Sequence, residues 1–250
     1  GLNQEIEYAR SFNWSRSGLN RLHSMLCISG ALLLIKKTVF EETGGSWPEA
    51  ITDDIEYTIR LNGFLYDRKN KQDLHLAFIP DAVSYTEVPE KLRLYLSQRN
   101  RWQRGTLQAI FRNWRMILNP RYGATGLFGM PYFLIFEAMA PIIEFMTYLC
   151  AIVFLILGLV TWMEILTLVF LAYATYVSLS LIAILVTETT RLRTSSWKDF
   201  WKMILAVFLD IFGWHQIRVF TSVWATLQYV FLRRRDLGAP MERNTQPATI

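Results

Sequence analysis

Ile165 to Thr187 reads ILTLVFLAYATYVSLSLIAILVT, 23 consecutive residues without a charged side chain. At about 1.5 Å per residue such a helix reaches across a hydrocarbon layer about 30 Å thick, so the run predicts a transmembrane helix. Upstream, Phe145 to Met163 is a second uncharged run, of 19 residues, and Glu164 beside Trp162 breaks the two. An acid and an indole suit a tight interfacial turn, so two helices are predicted to cross and return through a hairpin at 162–164. Gly123 to Phe136 is also uncharged but too short to cross by itself; it either enters obliquely or extends the first span.

The rest of the chain reads outward from that hairpin. Of 250 residues 52% are hydrophobic and 19% charged, against about 25% charged in soluble domains. Residues 1–121 carry 17 Lys/Arg and 13 Asp/Glu, residues 122–250 only 9 and 8, and none of those basic residues lies between Arg121 and Arg191. The two halves therefore occupy different environments, and disorder, collagen and a disulfide framework are excluded. Cys27 and Cys150 fall on opposite sides of the boundary and suggest neither a bridge nor a zinc site.

A net charge of +5 is compatible with nucleic acid. The basic residues of the second half, however, cluster at Arg191 to Lys202 and Arg233 to Arg235 beside apolar segments, which points to anionic membrane lipids and to no nucleic acid. Met203 to Leu232 is interrupted by Asp210, His215 and Arg218. A single crossing there would put Arg233 to Arg235 opposite the Arg191 to Lys202 loop, against the positive-inside tendency. A re-entrant or surface-lying pair of helices is predicted instead. The chain then sits in the inner or plasma membrane as a multi-pass protein, with its polar half and C-terminus cytoplasmic and only the 162–164 turn outside.

Glu137 and Glu144, seven residues apart, share one helical face with Pro141. Two readings stand: interfacial acids bonded to neighbouring helices, or the polar lining of a passage.

In the polar half, Cys27 to Ile35 (CISGALLLI) reads as a buried strand in which Ser29-Gly30 permits close backbone approach. Lys37 to Thr43 reads as a helix stopped by Gly44-Gly45. A second helix is predicted from an N-cap at Thr52, through Asp53 and Asp54, to a stop at Gly63. His75 to Ile79 and Ala82 to Thr86 look like strands about a Pro80-Asp81 turn, and Pro89 is placed to open a helix. Strands mixed with helices indicate an α/β domain. Asp53 and Asp54 are also what a helix dipole favours at its N-terminus, with no catalytic purpose. On the Pro89 helix Gln98, Arg101 and Trp102 share a face while Arg99 points elsewhere. Leu107, Ile110, Phe111, Trp114, Ile117 and Leu118 follow at helical spacing with Arg104, Arg112 and Arg115 off the stripe, as in a helix lying among headgroups. A basic helix anchored by Trp102 at a membrane surface is the competing explanation of that stretch.

A Ser-Gly strand, Thr52-Asp53-Asp54, then Gln98-Arg99-Asn100-Arg101-Trp102, an interfacial helix and membrane spans resemble, in that order over roughly residues 20–190, the membrane-bound family 2 glycosyltransferases: the cellulose, hyaluronan, chitin and poly-N-acetylglucosamine synthases. Gln-x-x-Arg-Trp is matched completely; the usual Thr-Glu-Asp departs at its middle position, Asp53. The resemblance implies an α/β fold, the C-terminal half of a GT-A type glycosyltransferase domain followed by interfacial and transmembrane α-helices. The implied organisation is 1–104 for the catalytic part, 105–121 for an amphipathic interfacial helix, 122–188 for two spans and 189–250 for a membrane-associated cytoplasmic tail.

By the same resemblance Asp54 is the general base, Gln98 and Arg101 face the nucleotide diphosphate, Trp102 offers its ring to the acceptor sugar, and Thr52, Asp53, Ser29 and Gly30 line the substrate. The implied function is inverting transfer of a sugar from a nucleotide-sugar donor, a UDP-sugar, to a growing glycan or lipid-linked acceptor. A divalent metal, Mg or Mn, is expected through the family's Asp-x-Asp. No such motif lies upstream of Cys27, so the chain is expected to be the C-terminal portion of a longer enzyme, inactive alone. Three alternatives remain open. Transfer of one sugar to a lipid carrier shares the chemistry; an export subunit without catalysis would explain Glu137, Glu144 and the spans but not the Asp54 and Gln98 to Trp102 pattern; a lipid-binding module would explain the basic and amphipathic segments but would not need a 23-residue uncharged run.

Overall fold

A computed structural model of the chain describes residues 7, 16–67, 74–79, 82, 84, 89, 91–190, 197–210 and 213–236. Eight helices are used below: α1 (Arg16–Arg21), α2 (Lys37–Glu42), α3 (Asp53–Asp67), α4 (Leu92–Arg112), α5 (Thr125–Ile156), α6 (Trp162–Thr190), α7 (Trp197–Asp210) and α8 (Trp214–Val230).

Among the described residues there is no strand, which differs from the expected α/β pattern. Cys27 to Ile35 runs without a ladder, and Leu34 is 90% exposed. A strand exists only where a neighbour accepts and donates its backbone hydrogen bonds, and among the described residues these have no such neighbour. The same holds for His75 to Ile79; of the second expected strand only Ala82 and Ser84 are described, and the Pro80-Asp81 turn lies outside the described residues.

The helices follow the sequence more closely. α2 ends at Glu42, and Gly44 and Gly45 take φ of 77° and 71°, the left-handed conformation that closes a helix. α3 begins one residue after Thr52, but it runs through Gly63 to Asp67. Gly63 is there for contact, since a Cβ would stand 3.3 Å from Met116 Sδ. α4 opens at Leu92, three residues after Pro89.

Apolar faces of α3, α4 and early α5 close one core around Ile55, Ile59, Leu107, Ile110, Met130 and Phe133. α4 runs without interruption across the expected boundary at residue 104, and Gln103 to Ile110 are buried. Its Arg104, read as a solvated off-stripe residue, is 2% exposed. Its guanidinium donates to Asn100 Oδ1 (2.9 Å), to the Asp236 carboxylate (3.0 Å) and to that residue's carbonyl, tying the segment after α8 down onto α4. Burial lowers its pKa, and Asp236 opposes that shift. Phe111, Trp114 and Leu118 stay exposed, so an apolar edge remains at the end of this helix.

α5 and Trp162–Val186 within α6 are long and apolar enough to cross a membrane, with 32 and 25 residues. The stretch from Thr125 is continuous with the first of these helices. The turn comes earlier than predicted, over 157–161, because Gly158 adopts φ 68° after α5. Thr161 and Glu164 then cap α6 reciprocally: the Glu164 carboxylate accepts from Thr161 N (2.7 Å), and Thr161 Oγ1 accepts from Glu164 N (3.3 Å). Leu149, Val153, Leu166, Val169 and Phe170 are exposed on these helices, an arrangement that hydrocarbon stabilises and water does not.

α7 and α8 meet at 58°, as in a broken span or a re-entrant pair. α7 packs Met203, Ala206 and Val207 on Val177 and Ile184 of α6. α8 lies against α4, where Asn100 Nδ2 donates to Gln228 Oε1 (2.9 Å) and Phe111 stacks on Tyr229. The polar half and the membrane helices are thus joined through α4 and α8.

Candidate active site

The segment before α3 is held in place by α4. Gln108 accepts from Ile51 N (2.8 Å) and donates to Glu49 O (3.0 Å). One turn earlier, Gly105 brings the α4 backbone so close to Thr52 that a Cβ would fall 2.1 Å from Thr52 Oγ1. Thr52 is buried in that contact and its hydroxyl has no hydrogen-bond partner among the described residues, so the expected N-cap is made there by backbone: Glu56 N donates to Thr52 O at 3.2 Å. What Thr52 supplies is a close fit between the start of α3 and α4.

Asp54, two residues on, is aimed by backbone donors. Its Oδ2 accepts from Gly30 N (3.1 Å) and its Oδ1 from Ile55 N (2.9 Å). The close approach expected at Ser29-Gly30 is therefore an approach to Asp54. Asp53 points away to the exposed side; its pKa is raised by burial, then by Asp54 and Glu56, while Arg101 opposes the shift.

Asp54, Ser29 and Trp102 line one cavity of about 650 Å³. Its walls also include Tyr132, Phe133, Phe136, Glu137 and Pro141 of α5, and Leu179 and Ala183 of α6. The cavity therefore extends from the Asp54 carboxylate to the spanning helices. Phe133–Met139 is a π-helical stretch, whose wider turn breaks the 3.6-residue period that grouped Glu137 with Glu144. Glu137 faces the cavity; Glu144 is taken up by His215 Nε2 at 2.7 Å and by the Tyr148 hydroxyl.

Of the residues singled out in the sequence, the cavity gathers Asp54, Ser29 and Trp102, with Gly30 bonded to Asp54; Thr52 lies buried behind, and Asp53, Gln98 and Arg101 are not among its lining residues. Arg99, expected on another face, does line it, as do Glu7, Arg16, His215 and Arg218. His215 and Arg218 were visible as interruptions in an apolar stretch, whereas Glu7 and Arg16 belong to a segment without periodicity.

The sequence pattern of "Glycosyl transferase family group 2" matches residues 4–187. The chain belongs to this family. Among its relatives, the poly-beta-1,6-N-acetyl-D-glucosamine synthase of Staphylococcus epidermidis is 28% identical over 63% of this chain and 35% of its own length. The probable glycosyltransferase YdaM of Bacillus subtilis is 28% identical over 40% and 22%. The beta-monoglucosyldiacylglycerol synthase of Trichormus variabilis is 31% identical over 43% and 21%. The chain thus matches between about a fifth and about a third of the length of these relatives. No solved structure matches it significantly. The family generally uses a divalent metal, but among the described residues no group of three or more His, Cys, Asp or Glu converges as a ligand set. These residues do not fit the expected Mg or Mn, and no step below passes through a metal.

Proposed function

We propose that this chain supplies the acceptor side of an inverting transferase that moves a sugar from a nucleotide-diphosphate sugar to a hydroxyl at the membrane. The observation that carries the reading is the placement of Asp54 on the wall of the cavity that Trp102 also lines, with one carboxylate oxygen held by Gly30 N–H. In the reaction the acceptor oxygen forms a bond to the anomeric carbon as the bond from that carbon to the diphosphate oxygen breaks. Asp54 takes the acceptor hydroxyl proton, and the nucleoside diphosphate leaves with the electron pair. Trp102 offers a flat apolar face against which a sugar ring stacks. Gln98 and Arg101, off the cavity, are assigned to the leaving diphosphate, where a planar cation stabilises developing charge. The catalytic face is assigned to the cytoplasm by the charge asymmetry of the loops.

The preferred acceptor is a growing glycan, because residues of both α5 and α6 line the cavity with Asp54 and because the polysaccharide synthase shares a longer stretch with this chain than the glucolipid synthase does. Transfer of a single sugar to a lipid is the second reading, favoured by the similarity to the diacylglycerol enzyme. Membranes containing the intact enzyme, given radiolabelled UDP-N-acetylglucosamine or UDP-glucose, separate the two. Label in a high-molecular-weight, solvent-insoluble product supports the glycan reading. Label confined to the chloroform–methanol extract favours the lipid, and no incorporation from either donor contradicts the proposed donor.

A further inference from the structure

Arg99 has a place that neither helical spacing nor the Gln-x-x-Arg-Trp pattern assigns. Tyr95, Arg99 and Trp102 form an i, i+4, i+7 stripe on α4. The guanidinium carbon of Arg99 lies 4.9 Å from the Tyr95 ring centroid and 4.6 Å from that of Trp102. A planar cation between two rings, its side chain 15% exposed, restricts the tilt of both.

The guanidinium is itself anchored. Its Nη2 pairs with one carboxylate oxygen of Glu7, and the other oxygen receives Arg218 Nε of α8 at 3.2 Å. Arg218 donates onward to Asp210 Oδ1 at the end of α7 (3.0 Å), and Tyr176 of α6 bonds the same carboxylate. A continuous chain of charge-assisted contacts therefore leads from the Trp102 indole to three membrane-associated helices. Arg99 Nε, by contrast, is buried without an acceptor among the described residues. That costs stability, which argues against a side chain kept for folding alone.

We infer that Arg99 is a positioning residue: clamped by Glu7 and Arg218, it fixes the plane of the Trp102 indole on which the acceptor sugar stacks. The inference rests on the reading of Trp102 as the acceptor's platform, and its test separates the two.

The intact protein, labelled with 5-fluorotryptophan and embedded in nanodiscs, gives a Trp102 fluorine resonance assigned by its loss in Trp102→Phe. Arg99→Lys keeps the charge but loses the planar fork, and Glu7→Gln releases the anchor. Each shifts or broadens the Trp102 resonance and leaves those of Trp197 and Trp201 in place. In transfer from UDP-N-acetylglucosamine to a β-1,6-linked N-acetylglucosamine oligosaccharide, Arg99→Lys raises the acceptor KM by about 2- to 30-fold with donor KM unchanged. In a Trp102→Leu background, which has no ring, the same substitution changes acceptor KM less than about twofold, as coupled residues require.

An unmoved Trp102 resonance in both variants, or an equal KM effect in both backgrounds, overturns the inference and leaves the proposed function standing. If the unaltered protein shows no transfer with this pair, the proposed donor and acceptor fail, and the fluorine resonance alone decides the role of Arg99.

Discussion

Asp54 is set by two backbone N–H groups, Gly30 and Ile55, and this local geometry divides it from its neighbour. Asp53 is exposed and is absent from the cavity wall, so Asp53→Glu, which restores the family's usual residue, is expected to leave turnover within about threefold, since surface changes away from such features are mild. Cys27, on the cavity wall beneath the Arg16 guanidinium (3.4 Å), has its thiol pushed up to about 12, chiefly by burial. Because the folded state favours the protonated form, the stability linked to this group is complete below about pH 8.5, the ordinary thiol value, and is lost as pH rises towards about 12. At pH 8.5 about half of an ordinary thiol is ionised, so iodoacetamide should alkylate Cys27 more than about 100-fold more slowly in the folded protein than in detergent-unfolded chain. Equal rates would contradict the assigned burial. At this scale the sequence was only partly legible. The motif pointed to Asp54 and Trp102, but Arg99 escaped because a helix carries two stripes through Trp102, and spacing does not say which one faces the cavity.

Helices were readable from apolar period and caps, with instructive exceptions. Gly63 and Gly105 resemble stops or weak points in a helix, yet both sit inside helices and serve close approach: Gly63 to Met116, Gly105 to Thr52. Only the packing of two helices reveals such a use. Gly105→Ala is therefore expected to destabilise the protein by about 1–3 kcal/mol through overpacking, and to displace Asp54 relative to Trp102. Thermal unfolding in nanodiscs should show the loss, with part of it returned by adding Thr52→Gly. An unchanged midpoint would mean that α3 and α4 are not in the contact described. Cys27 to Ile35 and His75 to Ile79 form no strand among the described residues for the opposite reason: an apolar run states a preference, while a strand also needs a partner for its backbone. Of the apolar stripe expected over 105–121, Leu107 and Ile110 are covered by α3 and early α5, while Phe111, Trp114 and Leu118 are exposed.

Across the whole molecule, the charge asymmetry between residues 1–121 and 122–250 foretold two environments. One cavity is lined both by Asp54 and by residues of α5 and α6. The two long apolar helices were legible because uncharged runs of this length have few other uses; the turn between them falls earlier than 162–164 because Gly158 and the Thr161–Glu164 cap outweigh the interfacial preference of Trp162. The proposed topology puts both Thr194 and Thr245 in the cytoplasm and Met163 outside. Single cysteines at these positions, without Cys27 and Cys150, should label with an impermeant thiol reagent on intact cells only at 163; labelling at 245 would make α7 and α8 together a third crossing. The central claim, that Asp54 removes the acceptor proton, is tested most directly by Asp54→Asn in the intact membrane-embedded enzyme, with turnover and UDP-sugar binding measured on the same preparation. The account predicts a fall in kcat of about 100- to 10,000-fold with donor affinity within a few-fold of the parent, whereas near-normal turnover by the asparagine variant would contradict it.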